Sequence, residues 1–142
     1  MTIVVDASVA VKWVLREIGS DAADALLDHD GLIAPSILLA EATNALWRRA
    51  RMAEITAKEA SERLSELQNA PVRSVAFEPH LDQALKLATE IGHPVYDCVY
   101  FALAVRHETH VVTADRRFAV AATTAGLTDR VRLLSPYIQP SC

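Results

Sequence analysis

Cysteine is scarce in this sequence: Cys98 and Cys142 are the only two in 142 residues. They make no CxxC pair and cannot build a framework of bridges, which points to a reduced, cytoplasmic setting. Positive charge is not in excess either. Fourteen Lys and Arg against eighteen Asp and Glu leave a formal net charge of −4 and a pI near 5.7. Proteins that coat duplex DNA carry a basic domain, so that class is disfavoured. An enzyme that cuts nucleic acid at an acidic metal site is not, because the site adds negative charge of its own. No apolar run approaches the length of a membrane span, and the apolar start of the chain follows no basic segment, so neither a span nor a signal peptide is expected. His29, His80, His93, His107 and His110 show no metal-ligand spacing and read as surface or capping residues. Internal repeats, low-complexity segments and linkers are also missing. With 51% hydrophobic and 23% charged residues, the chain reads as one globular domain over residues 1–142.

What is present begins at the amino end. Ile3-Val4-Val5 is a β-branched run without polar alternation, which suits a strand buried on both faces of a parallel sheet. It stops at Asp6. Ala7 to Leu15 reads as a helix, Gly19-Ser20 as a break with Ser20 capping a second helix to about Leu27, and Leu32-Ile33-Ala34 as a strand stopped by Pro35. Ser36 is a candidate cap for a long helix to about Arg51, apolar at Ile37, Leu38, Ala42, Ala45 and Leu46. Thr56 and Glu59 have the spacing of a capping box, opening a helix to about Leu67. Val72 to Phe77 follows as a strand. Pro79 then opens a helix closed by Gly92, and Pro94 a strongly apolar one over Val95 to Val105. Val111-Val112-Thr113 is a further buried-type strand, Arg116 to Ala125 a short helix stopped by Gly126, and Val131 to Leu134 a last strand. Strands alternate with helices throughout, so an α/β fold with a mainly parallel sheet is expected.

Four acids stand apart by their settings. Asp6 and Asp115 each end an apolar strand, Glu41 lies in the apolar part of the long helix, and Asp97 lies in the first turn of the most apolar one. In open α/β sheets the functional crevice lies beyond the carboxyl ends of the strands, so parallel neighbours would bring Asp6 and Asp115 to the same lip. Each acid also has a structural reading. Asp6 and Asp115 can cap the helices that follow, Asp97 can complement a helix dipole, and Glu41 can pair with Arg48 or Arg49. Clustered, they would need a cation, since two carboxylates about 4 Å apart repel by roughly 4 kcal/mol at an effective dielectric near 20. Oxygen ligands without thiolate or imidazole select Mg²⁺ or Mn²⁺. Such an ion best serves phosphodiester hydrolysis, activating water and stabilising the charged in-line transition state.

At these residues the chain resembles the PIN-domain ribonucleases, in particular the VapC-type toxins of toxin–antitoxin pairs. The matching pieces are Val-Val-Asp6-Ala-Ser8, Glu41-Ala-Thr-Asn44, Tyr96-Asp97-Cys98 and Thr113-Ala-Asp115-Arg-Arg-Phe118, in order over nearly the whole length. The resemblance implies a PIN-like three-layer α/β/α fold. It makes Asp6, Glu41, Asp97 and Asp115 the catalytic acids holding Mg²⁺ or Mn²⁺, with Ser8, Asn44 and Thr113 as polar residues lining the site. It also implies an RNA substrate, a small antitoxin whose tail enters the cleft, and a homodimer. Some relatives carry a further acid after the last motif aspartate; Arg116 and Arg117 stand there in this chain.

Other features carry lesser readings. Lys12 and Arg16 share a helix face beside Asp6 and, with Arg48, are candidate RNA contacts. Arg48, Arg49 and Arg51 beside Trp47 also suit a solvated helix end. Trp13 and Trp47 read as core or interface, and Cys98 as a small buried filler. Two competing functions remain open. One is an aspartate-based phosphatase, although a haloacid-dehalogenase-type enzyme would place a second aspartate where Ser8 stands. The other is a catalytically silent PIN-like binding module, which loss of a motif acid would favour; all four acids are present.

Overall fold

The structure, a computed structural model, describes residues 1–134; Cys142 lies outside them. Five strands form one sheet: β1 (Ile3–Val5), β2 (Leu32–Pro35), β3 (Arg73–Val75), β4 (Val111–Thr113) and β5 (Val131–Leu133). Their order is β3-β2-β1-β4-β5 and every neighbouring pair is parallel. Seven helices connect them: α1 (Ala7–Val14), α2 (Ser20–Leu26), α3 (Leu38–Arg51), α4 (Ala57–Gln68), α5 (Leu81–Ile91), α6 (Val95–Arg106) and α7 (Arg116–Thr124). The first four pack among themselves, with α1 against β4. The last three form the opposite layer, in which α6 lies against β1, β2 and β4, and α7 against β4 and β5. The expected three-layer α/β/α arrangement is therefore observed, and the sheet is parallel throughout the described residues.

The core follows from the apolar strands. Val4, Val5 and Val111 are fully buried because helices cover both faces of the sheet. α6 has no polar face to offer: Cys98 to Ala104 are buried without interruption, as expected of a helix wedged between a sheet and its neighbours. Cys98 is thus a free, buried side chain whose thiol burial pushes up to about 11.

Local stop and start signals are mostly as the residue types dictate. Thr56 and Glu59 form a full capping box at α4. Two expected caps are not made. Ser36 does not cap α3; its N–H donates to Val75 O at 2.7 Å and so extends the β2–β3 ladder, and α3 begins at Leu38. Gly19, at φ 93°, takes the N-cap position of α2 instead of Ser20. Ser20 is buried, with its hydroxyl donating to Leu15 O at 2.9 Å and accepting from Glu17 N–H at 3.0 Å. The segment at Pro79 opens as a short 3-10 turn, Glu78–His80, before α5.

α6 closes with the paired bonds of a Schellman motif, Thr109 N–H to Ala104 O at 2.9 Å and Glu108 N–H to Val105 O at 3.1 Å. The geometry puts Glu108 at φ 52°, where a side chain is strained and glycine is not. Glu108 is exposed and makes no side-chain bond, so Glu108→Gly is expected to stabilise the protein by about 0.5–1 kcal/mol, read as a higher urea midpoint at unchanged slope.

Candidate active site

The chain runs from β1 outward through β2 to β3 on one side, then crosses to β4 on the other side of β1 and on to β5, which makes the carboxyl ends of β1 and β4 the topological switch point. Register places Val4 beside Val111 and Val5 beside Val112. Asp6 follows β1 directly, and Asp115 follows β4 after Ala114. Asp6 accepts from Val9 N–H at 3.2 Å, capping α1, and from Ser8 Oγ–H at 2.6 Å; its second oxygen accepts from Thr113 Oγ1–H. Those hydroxyls are held in turn, since Ser8 Oγ accepts from Ala114 N–H at 2.8 Å and Thr113 Oγ1 from Asp115 N–H at 3.0 Å. Asp115 caps α7 by accepting from Arg117 N–H at 2.9 Å. The structural and functional readings of these two acids are therefore compatible, because a capping carboxylate at a strand end still stands at the crevice.

Burial decides the state of Asp6. Only 4% exposed, its carboxyl is pushed from the ordinary 3.8 to about 6. Desolvation is the main cause, and the charge of Asp97 adds to it. The bonds from Ser8, Thr113 and Val9 offset only part of that rise.

Glu41 and Asp97 come from opposite layers. Glu41, on α3, accepts from the Tyr100 hydroxyl of α6 at 2.6 Å, and neither Arg48 nor Arg49 pairs with it. Burial and then Asp97 raise the Glu41 carboxyl despite that bond. Tyr100, 1% exposed, is itself raised far above the ordinary phenol by burial and by Glu41. Asp97 accepts from His93 Nε2–H at 2.6 Å. The resemblance did not single out Tyr100 or His93. Tyr100 leaves one trace in the sequence, standing three residues after Asp97 on the same helix; His93 precedes the helix and leaves none.

An open cavity of about 920 Å³ gathers these groups. Asp6, Glu41, Asp97 and Asp115 all line it, as do Ser8 and Asn44, while Thr113 is buried beneath Asp6. Its other end is basic. Lys12 lines the cavity but donates to Glu17 at 3.0 Å and to Ile18 O at 2.7 Å. Arg49 reaches the same Glu17 and also Glu54. Burial pushes the Glu17 carboxyl up, but the bonds and charges of Lys12 and Arg49 outweigh it and hold Glu17 below its ordinary range. Arg48 lines the cavity without an ion-pair partner among the described residues. Arg16 does not line it: α1 ends at Val14, and Arg16 turns away to Asp24 at 2.7 Å and Asp21 at 3.1 Å. Trp13 packs against the core with its indole N–H on Ala23 O at 2.8 Å. Trp47 is 53% exposed beneath the Arg51 guanidinium.

No three His, Cys, Asp or Glu side chains among the described residues are gathered into an all-protein cage for an ion. The donor set is oxygen only, and two of its members are raised partly by the negative charge of a third. A divalent cation bound there would relieve that repulsion.

The family model of the PIN domain matches residues 3–123, and the chain belongs to that family. Its relatives include ribonuclease VapC3 of Pyrobaculum aerophilum, 33% identical over 122 residues that cover 84% of this chain and 93% of the relative. Exonuclease VapC9 of the same organism is 35% identical over 94 residues, covering 66% and 68%. Among solved structures, PAE2754 from Pyrobaculum aerophilum superposes with a TM-score of 0.69 at 27% identity, over 85% of this chain and 79% of that one. VapC20 of Mycobacterium tuberculosis, described as a sarcin-ricin loop cleaving toxin, shares the fold at 17% identity, with a TM-score of 0.68 over 84% and 95%. The resemblance to VapC-type PIN-domain ribonucleases carried by the four acidic motifs is borne out. Among the described residues, no helix is long and apolar enough to cross a membrane.

Proposed function

We propose that the chain is a Mg²⁺- or Mn²⁺-dependent endoribonuclease, the toxin of a pair neutralised by a small antitoxin, acting in the cytoplasm as a homodimer. The observation that carries the catalytic reading is that Asp6, Glu41, Asp97 and Asp115, from four separate elements, line one cavity at the sheet's switch point. The naming of relatives as VapC ribonucleases supports the toxin role and the RNA substrate.

In this reading Asp6 and Asp97 hold the cation, with Glu41 and Asp115 completing the acidic wall. A bound Mg²⁺ or Mn²⁺ supplies positive charge for activating water and for the phosphate oxygens as they gain charge. The chain does the positioning. Ser8 and Thr113 fix both oxygens of Asp6, and Tyr100 fixes Glu41. Glu41, raised by burial, is placed to take a proton from water that enters the cavity. Arg48 contacts an RNA phosphate, being the cavity cation without an ion-pair partner among the described residues. Lys12 is committed to Glu17 and contributes charge at longer range.

One relative is named a ribonuclease and another an exonuclease, so the mode of attack needs its own test. Circular single-stranded RNA has no ends. The purified protein with Mn²⁺ is expected to linearise it and to leave discrete products from linear RNA. Degradation of linear RNA with the circle untouched would make the enzyme an exonuclease.

A further inference from the structure

We infer that His93 is a positioning residue for the acidic site, holding the Asp97 carboxylate in place for a divalent cation. The inference rests on the reading of Asp97 as a cation ligand. His93 is not part of α6; it stands just before Pro94, the residue at the N-cap position of that helix, which offers no side-chain cap of its own. Two contacts fix the ring. One face stacks on Phe118, with centroids 5.4 Å apart and planes 20° from parallel, and Phe118 is completely buried in α7. The ring edge presents Nε2 to Asp97 Oδ2 at 2.6 Å. The His93 side chain is 11% exposed, against 26% for Asp97.

The consequence for Asp97 is geometric. A short carboxylate on the first turn of a helix can exchange between staggered χ1 rotamers unless something selects one, and rotamer freedom lost on binding weakens the ligand. Here one oxygen is pinned by an imidazole that is itself clamped by a core phenylalanine. Oδ1 has no hydrogen-bond partner among the described residues, so it is the oxygen left for a ligand. Carboxylates that ligate cations are commonly held in this way, and loss of the outer partner typically lowers metal affinity 10–100-fold. α6 thereby supplies the site twice, through Asp97 steadied by His93 and through Tyr100 on Glu41.

Substitutions separate the hydrogen bond from the packing. His93→Phe keeps a ring against Phe118 and removes the donor; His93→Gln keeps a donor of similar reach and removes the ring. Mn²⁺ affinity is read by titration calorimetry on the full chain, and RNA cleavage is followed in parallel. His93→Phe is expected to weaken Mn²⁺ binding 10–100-fold with the cooperative unfolding transition retained, and His93→Gln to bind within about threefold of the parent. Should His93→Phe fail to fold, His93→Asn takes its place. Its amide is too short to reach Asp97, so it is expected to lose affinity where His93→Gln keeps it. Equal Mn²⁺ affinity in parent and His93→Phe, or in His93→Gln and His93→Asn, would overturn the assignment. Asp97→Asn is the control for the underlying reading. If it too binds Mn²⁺ and cuts RNA like the parent, the acidic site itself is wrong; if it loses both while His93→Phe loses neither, only the role of His93 fails.

Discussion

Asp6→Asn is expected to lower RNA cleavage by about 1000-fold or more, comparable to removing a principal charge-stabilising group from an active site, while making the metal-free protein more stable at neutral pH. The two effects have one cause. Asparagine caps a helix as well as aspartate, so α1 keeps its start, but the variant has no charge to bury and none to offer a cation. In the parent, the folded-state carboxyl titrates at about 6 and the unfolded one near 3.8. Between those values the native state holds more protons than the unfolded state, so stability falls as pH rises. The contribution is fully present below about pH 4 and lost above about pH 6, a change of about 3 kcal/mol. Urea unfolding in chelator should therefore show the parent losing stability across pH 4 to 6.5, with a visibly flatter profile for the variant. Adding Mn²⁺ at pH 7 should raise the parent's midpoint and leave the variant's in place. Chelator should also abolish parental cleavage. Cleavage by the variant at the parental rate would end the nuclease reading. Identical pH profiles for parent and variant from pH 4 to 6.5 would mean that Asp6 is solvated rather than buried.

Phe118→Ala is expected to destabilise the protein by about 4 kcal/mol. Phe118 is completely buried, stacks on His93 and sits 6.5 Å from the Phe101 ring. It ties α7 to α6, and its removal leaves a cavity that two helices and a clamped ring cannot close. The variant is expected to unfold at a much lower urea concentration. Where it remains folded it should bind Mn²⁺ more weakly, because the imidazole behind Asp97 loses its backing. A loss below about 1 kcal/mol would show that the region between α6 and α7 collapses into the gap.

The parts of this architecture that were legible in the sequence are those set by local rules. β-branched runs ending in an acid located β1 and β4, and uninterrupted apolar character marked α6 as buried. Capping chemistry placed the start of α4. What escaped depends on partners distant in the chain. The structural reading of Glu41 pairs it with Arg48 or Arg49, about two turns along its own helix; instead it meets Tyr100, 59 residues away, because α3 and α6 face each other across the crevice. Ser36 has the right side chain for a cap, but the sheet claims its backbone N–H first. Arg16 has the right spacing from Lys12, but α1 stops at Val14, before the shared face reaches it. His93 carries no visible sign of its role, since its packing depends on Phe118, 25 positions later.

The pairing of β1 with β4 also bears on how the protein is made. The hydroxyl of Thr113 that fixes Asp6 lies 107 residues further along the chain. A ribosome must therefore translate beyond Thr113 before the middle of the sheet can zip and the acids can meet. Until then β1 has only β2 beside it, and such distant contacts form late because closing the intervening loop is entropically unfavourable. Nascent chains that stop before residue 113 thus lack the acidic hollow altogether. In this arrangement the acidic cavity takes shape only after β4 has been synthesised and has paired with β1.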